Sequence, residues 1–406
     1  MMNPFPLLMA DLRRSFFGSL GILVLLAFAF SATIAVSLFE RGFRNAGAEV
    51  AQDTDLVVGA PGNGTSLVLN SVFLLGTEVL PLMPMSVFDK LQGDPRVAAA
   101  SPLVFSDHYQ DAPIVGVGPA FPRLKPSLHL AAGRWPQAPF EVTVGSGVGL
   151  VLGQKIVGAH GVTARRGVPE ELHEAHPYVV VGVLARSDTP WDRSLVTPYQ
   201  SLWLLHGIAA APAPGSPQID ADETDLRAQV SAVLVKPANF AAAYALKADY
   251  AKNGTQSAFP GEVLAQLFGV LADVRTALTI LSTIFQALVF AAVLITLIAS
   301  LPQRTRWLGL LRGLGASRGY VFLALWLQSA LIFVVAGLAG LGLGWLGAQA
   351  LGTWLGGRLA MTIPITWEPG DLAVVAVFWL LGLLGALVPA ALGFRVSARK
   401  ALLRSD

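Results

Sequence analysis

Four stretches of this chain contain no charged residue: Phe16–Phe39, Thr276–Gln303, Gly319–Gly357 and Leu372–Phe394. A helix needs roughly 20 residues to cross the hydrocarbon core of a bilayer, and each stretch is long enough. The third is much longer than one crossing requires, at about 1.5 Å per residue. It reads either as one helix followed by an apolar loop or as two tight crossings. The glycines of "AGLAGLGLGWLGAQALG" suit close helix packing in either case. Composition agrees with a membrane chain. Only 13% of the 406 residues are charged and 54% are hydrophobic, whereas a soluble domain usually carries about 25% charge.

The basic residues decide between four crossings and five. Lys and Arg are enriched in the cytoplasmic segments of membrane proteins. Arg13 and Arg14 precede the first stretch. Arg304, Arg306, Arg312 and Arg318 lie between the second and third, and Arg395, Arg399, Lys400 and Arg404 follow the fourth. Four crossings put all three clusters on one side, the cytoplasm; a fifth would strand the last one outside. The third crossing is therefore expected to end near Ala350. The intervening segment Glu40–Arg275 has the opposite balance, 22 acidic against 17 basic residues, a net charge of −5.

The expected plan runs as follows. An amphipathic lead over residues 1–15 precedes a first transmembrane helix at 16–39. An extracytoplasmic domain with helical stalks fills 40–275. Transmembrane helices at 276–303, 319–350 and 372–394 are separated by a cytoplasmic loop at 304–318 and an outer loop at 351–371, and a cytoplasmic tail closes the chain at 395–406. "RRSFFG" is similar to a twin-arginine export signal, but the apolar run after it is too long for a cleaved signal, so a retained anchor is expected.

Within the outer segment, "DLVVGA", "EVTVGS", "YVVVGVLA" and "SAVLVK" are short β-branched runs bounded by turn residues, and read as strands. "MSVFDKLQ", "PYQSLWLLHGI" and "NFAAAYALKADYAKN" read as helices. Strand and helix alternate, so the fold class is membrane α-helical with a large α+β domain between the first and second spans. "AAAPAPGSPQIDAD" reads as an exposed loop. "GEVLAQLFGVLADVRTAL" reads as a helix running straight into the second span.

Soluble chemistry finds few footholds. With no cysteine, disulfides, thiolate zinc sites and cysteine nucleophiles are excluded. No G-x-x-x-x-G-K-[ST] is present, so the chain does not cradle ATP as a P-loop protein does. "VGSGVGLVLG" lacks the G-x-S-x-G frame, "HEAH" lacks the spacing of H-E-x-x-H, and no basic, aromatic-interleaved surface for nucleic acid appears. Asn63-Gly-Thr and Asn253-Gly-Thr match a glycosylation sequon and read as turns.

"EELHEAHPY" gathers Glu170, Glu171, His173, Glu174 and His176. On a helix, His173 and His176 would share a face, and imidazole with carboxylate suits zinc without any thiolate. A solvated acidic loop is the other reading.

The segment "RTRWLGLLRGLGASRGY", residues 304–320, places Trp307, Leu310, Leu311 and Leu314 at i, i+3, i+4 and i+7. They form one apolar stripe on a short helix that Gly313 and Gly315 end or bend. A lipid-facing interfacial helix and a docking helix for a cytoplasmic partner fit this pattern equally. The segment resembles the cytoplasmic signature of the FtsX/MacB/LolC superfamily of ABC-transporter permeases, roughly R-x-R-E-I-G-L-L-R-A-L-G-A-S-R. Arg304, Arg306, Gly309, Leu310, Leu311, Arg312, Leu314, Gly315, Ala316 and Ser317 match it, while Trp307 stands at its acidic position. "GRWP…FEVTVGSGVGLVLGQKIVGAHG", "YVVVGVLARSDTPWDRSLVTP" and "VPAALGFRVSARKALL" are similar to further segments of the family in the same order, the last without its second proline.

The resemblance implies the membrane subunit of an ABC complex in the bacterial inner membrane, not itself an enzyme. Its ATP and Mg belong to a dimer of partner ATPases, which would contact Arg304, Arg306, Trp307, Leu310, Leu311, Arg312, Leu314, Gly315 and Ala316. A second copy or a homologous permease, and a periplasmic or outer-membrane partner, complete the expected assembly, whose work is export or mechanotransmission. The alternatives are a permease for a different cargo such as haem or an antibiotic, a metal-linked transport system, and a receptor or scaffold working without ATP. A membrane-anchored hydrolase is disfavoured by the missing nucleophile.

Overall fold

A computed structural model of the chain describes residues 9, 10, 13, 15–76, 79–161, 171–207, 228–252 and 254–394, with the side chains of 271, 274, 275, 301–308 and 393 outside that description. The chain divides into two compact units. The first comprises Met1–Phe43, Leu271–Thr353 and Pro364–Asp406, and the second Arg44–Val270 with Trp354–Ile363.

Helix α1 covers Phe16–Ala51. Thirteen strands follow among the described residues, with short helices between them. β1 (Leu56–Gly59) leads to α2 (Gly64–Ser71), β2 (Met83–Pro84), α3 (Met85–Gly93), β3 (Val97–Tyr109), β4 (Ala112–Val117) and α4 (Phe121–Leu124). β5 (Leu130–Gly133), β6 (Glu141–Val144), β7 (Lys155–Ile156), β8 (Ala159–His160), β9 (Tyr178–Leu184) and β10 (Leu195–Pro198) come next. Then come α5 (Tyr199–Leu205), β11 (Gln229–Val230), β12 (Ala232–Pro237), α6 (Phe240–Tyr250) and β13 (Gln256–Ala258). Four further helices complete the described chain: α7 (Pro260–Gly313), α8 (Arg318–Leu359), α9 (Pro369–Gly385) and α10 (Leu387–Phe394).

In the second unit eleven strands form one mixed sheet, ordered β13-β1-β12-β3-β4-β10-β6-β9-β5, with β7 on β9 and β8 on β3. β4 with β10 and β6 with β9 run parallel; the other pairs are antiparallel. The β-branched runs behave as their patterns dictate. β9 alternates buried and half-buried side chains, while all four residues of β1 are buried, the pattern of a strand covered on both faces. Leu56, Ile114, Val142, Tyr178, Leu195 and Val233 lie in one continuous core. Asn63 caps α2, its side chain accepting from the Thr65 N–H at 2.8 Å, the usual role of Asn before a helix. Asn253 and "AAAPAPGSPQIDAD" lie outside the described residues.

Helices α1, α7 and α8, and α9 together with α10, supply four segments long and apolar enough to cross a membrane: Phe16–Ala51, Thr276–Ser300, Arg318–Leu359 and Pro369–Leu392. The third apolar stretch is thus one helix, and it continues past Ala350 to Leu359. Its glycines do what the sequence suggested. A Cβ on Gly340 would lie 2.9 Å from the Ala27 carbonyl oxygen, and one on Gly344 would lie 2.8 Å from that of Ser31. Two small residues four apart let α8 approach the backbone of α1. Phe30 and Phe378 stack beside this contact, their centroids 4.3 Å apart. Arg41 on α1 donates to both oxygens of the buried Asp371 near the start of α9, at 3.2 and 2.6 Å.

Candidate metal centre and the turn at residues 310–317

The longest strand, β3, carries a bulge. Phe105 pairs with Val115 and Asp107 with Ile114, so Ser106 is the extra residue on its side of the ladder. A bulge re-aims the side chains beside it. Asp107 is fully buried, and neither of its carboxylate oxygens has a hydrogen-bond partner among the described residues. A buried carboxylate without hydrogen bonds is costly unless a positive group faces it.

Three histidines face it. His160 lies directly across the β3–β8 ladder from Asp107, with its Nδ1 3.8 Å from Oδ1. His173 reaches the same oxygen with Nε2 at 3.4 Å, and His206 with Nε2 at 3.8 Å. His160 Nδ1 and His206 Nε2 are 3.1 Å apart. All four donor atoms lie within 4.8 Å of one another. Burial pushes the Asp107 carboxyl above the usual carboxylate range, and the three imidazoles, when charged, oppose that shift. Burial also raises the nearby Tyr178 hydroxyl well above its ordinary value, with the Asp107 charge adding to the effect.

Backbone pairing sets this arrangement. The His160 N–H donates to the Glu171 carbonyl at 2.9 Å and the His173 N–H to that of Gly158 at 3.0 Å, so the two segments run side by side. Gly161 donates to the Ser106 carbonyl at 2.7 Å, fastening β8 to the bulge. His206 ends α5, and its Nδ1 lies 2.8 Å from the Leu202 carbonyl. A carbonyl only accepts, so Nδ1 carries a hydrogen, and in the neutral ring Nε2 presents its lone pair toward the cluster.

Of the two histidines the sequence nominates, only His173 joins this group. The segment around them is a turn, not a helix: the His176 N–H donates to the His173 carbonyl at 3.1 Å. Pro177 follows directly, and the residue before a proline is pushed out of the helical region. His176 instead stacks on Phe140, centroids 5.1 Å apart. Asp107, His160 and His206 were not anticipated, and Glu170 lies outside the described residues.

In the other unit, residues 304–313 are the last turns of the 54-residue α7, not a separate short helix. The side chains of Arg304, Arg306 and Trp307 lie outside the description, as do Arg395, Arg399, Lys400 and Arg404. Leu310 is 51% exposed and Leu314 85%, while Leu311, Arg312 and Ala316 are half-buried. The helix stops in a Schellman motif, with Ala316 N–H donating to Leu311 O at 3.0 Å and Gly315 N–H to Arg312 O at 3.2 Å. Gly315 takes the left-handed conformation that this ending needs, φ +96°. Ser317 then caps α8, its hydroxyl accepting from the Tyr320 N–H at 3.2 Å.

Residues 279–399 match the family described as FtsX-like permease C-terminal. Among solved structures, the chain is similar to the periplasmic region of MacB from Actinobacillus actinomycetemcomitans, at 12% identity over 54% of this chain and 94% of that one, with a TM-score of 0.34. It is also similar to the extracellular domain of the noncanonic ABC-type transporter YknZ from Gram-positive bacteria, at 13% identity over 50% of this chain and 99% of that one, with a TM-score of 0.31. No curated protein gives a significant match.

Proposed function

We propose that this chain, whose residues 279–399 belong to the FtsX-like permease family, is the membrane subunit of an ABC-type complex powered by a separate ATPase. The observation that carries this reading is the turn inside the family match. Leu310 and Leu314 stand exposed on successive helical turns where α7 ends, at the positions of the family signature and among its arginines. The basic clusters put this turn, and both ends of the given sequence, in the cytoplasm. The sheet-bearing unit then lies on the far side, in the periplasm of a bacterial inner membrane. A dimer of ATPases would seat the two leucines in apolar grooves, and two permease copies, or this chain and a homologous one, would complete the complex. ATP hydrolysis would then drive conformational work on a lipoprotein, peptide or small-molecule cargo.

The test is co-expression of the full chain with an ABC ATPase of the same organism, followed by purification through the permease. Leu310→Asp with Leu314→Asp alters two exposed side chains, so insertion and folding should persist. A charge forced into an apolar groove costs several kcal/mol, enough to reduce ATPase recovery at least about tenfold. Unchanged recovery with the double variant would remove the docking assignment. A permease that never retains an ATPase would favour a receptor or scaffold.

A further inference from the structure

We propose that Asp107, His160, His173 and His206 form a binding site for one divalent transition-metal ion of the zinc type. The site is in the sheet-bearing unit and stands apart from the ATP-coupling reading. Zn–N and Zn–O bonds of about 2.0–2.1 Å in a regular tetrahedron place the ligand atoms about 3.3 Å from one another. Asp107 Oδ1 lies 3.4, 3.8 and 3.8 Å from its three imidazole nitrogens, and two of those nitrogens are 3.1 Å apart. Four of the six edges of such a tetrahedron are therefore within about 0.5 Å of their ideal length, and the two edges from His173 to the other imidazoles are no longer than 4.8 Å.

Two further observations point to a cation at the centre. The Asp107 oxygens and His173 Nε2 are buried without a hydrogen-bond partner among the described residues, and a metal ion would satisfy both kinds of group at once. His206 is held through Nδ1 by the Leu202 carbonyl, which is how metal-binding histidines are commonly oriented. The ligand set of nitrogen and oxygen donors suits zinc, and also cobalt and nickel, over magnesium or calcium. Side-chain exposure rises from 0% at Asp107 through 18% at His173 and 23% at His206 to 53% at His160, so the carboxylate forms the floor and His160 the mouth through which an ion enters. The four ligands come from β3, β8, the segment paired with β8 and the end of α5. A bound ion would cross-link four pieces of chain and stabilise the folded state by mass action.

The experiment uses the full chain in detergent, stripped by a chelator and titrated with Zn²⁺ by calorimetry and with Co²⁺ by absorption. One Zn²⁺ per chain, the intense visible bands of tetrahedral Co²⁺, and a higher Tm when Zn²⁺ is restored are expected. His206→Gln and Asp107→Asn should each weaken Zn²⁺ binding at least about tenfold, and His160→Ala with His173→Ala should abolish the Co²⁺ bands. His176→Ala should change nothing. Absence of stoichiometric Zn²⁺ binding by the unsubstituted protein would overturn the proposal whatever the variants' folding. So would octahedral Co²⁺ bands, or binding that survives the double substitution or is lost with His176→Ala.

Discussion

Lys125 shows how much a single side chain matters in the sheet-bearing unit. It is 2% exposed, and its ammonium donates to the Thr54 hydroxyl at 2.5 Å. Burial lowers its pKa from 10.5 to about 8, against the opposing pull of Asp53. The folded state thus holds this proton less tightly than the unfolded chain does. Stability should rise with pH between about 8 and 10.5, and the full cost should be present below pH 8. The gap between those values corresponds to roughly 3 kcal/mol. Lys125→Met keeps the volume and removes the charge, so denaturant unfolding at pH 7 should show a more stable protein. The difference between variant and wild type should shrink as pH rises toward 10.5; a variant less stable at pH 7, or a constant difference, would contradict this. The proposed metal site belongs to the same scale, and it is scarcely legible in the sequence. Its ligands are spread over a hundred positions and meet only through the β3 bulge, the β8 pairing and the end of α5. Proximity in sequence points to His173 but equally to His176, which would share its face only on a helix, whereas the segment before Pro177 is a turn.

Elements with a strong period were easier to read. The four β-branched runs are all strands, and "MSVFDKLQ", "PYQSLWLLHGI" and "NFAAAYALKADYAKN" contain α3, α5 and α6. The exception is β3, the longest strand, whose "VAAASPLVFSDHY" mixes small residues, a proline and buried polar groups and so shows no alternation. It sits inside the sheet between β12 and β4, where neighbours on both sides override weak local preference. Among the helices, the glycines of α8 give a direct test. Gly344→Leu would drive a side chain into Ile34 and the Ser31 carbonyl of α1, whereas a Cβ on Gly342 meets nothing within 4 Å. Overpacking of this kind costs about 1–3 kcal/mol. Thermal unfolding in detergent should therefore show a lower Tm for Gly344→Leu and little change for Gly342→Leu. Equal effects would mean that the α1–α8 contact is not what these glycines serve.

For the molecule as a whole, four apolar helices bracketing an α+β unit are legible because charge-free length and arginine placement are strong signals, while the similarity of residues 279–399 to the FtsX-like permease model is legible mainly through the motif at 304–318. The sidedness they imply is open to measurement: reporters fused after residue 215 and after residue 406 should lie on opposite sides of the membrane, and finding both on one side would refute the four-crossing plan. The central proposal is that this chain works through a separate ATPase held at the α7–α8 turn. The most direct test is the rate of ATP hydrolysis by the co-purified complex in lipid nanodiscs, with wild-type chain and with Leu310→Asp/Leu314→Asp at matched permease concentration. Turnover should accompany the wild-type complex and fall at least about tenfold with the double variant, as expected when a buried groove must accept a charge. Turnover that is unchanged by the substitution, or ATPase that never associates with the wild-type chain, would contradict the proposed function.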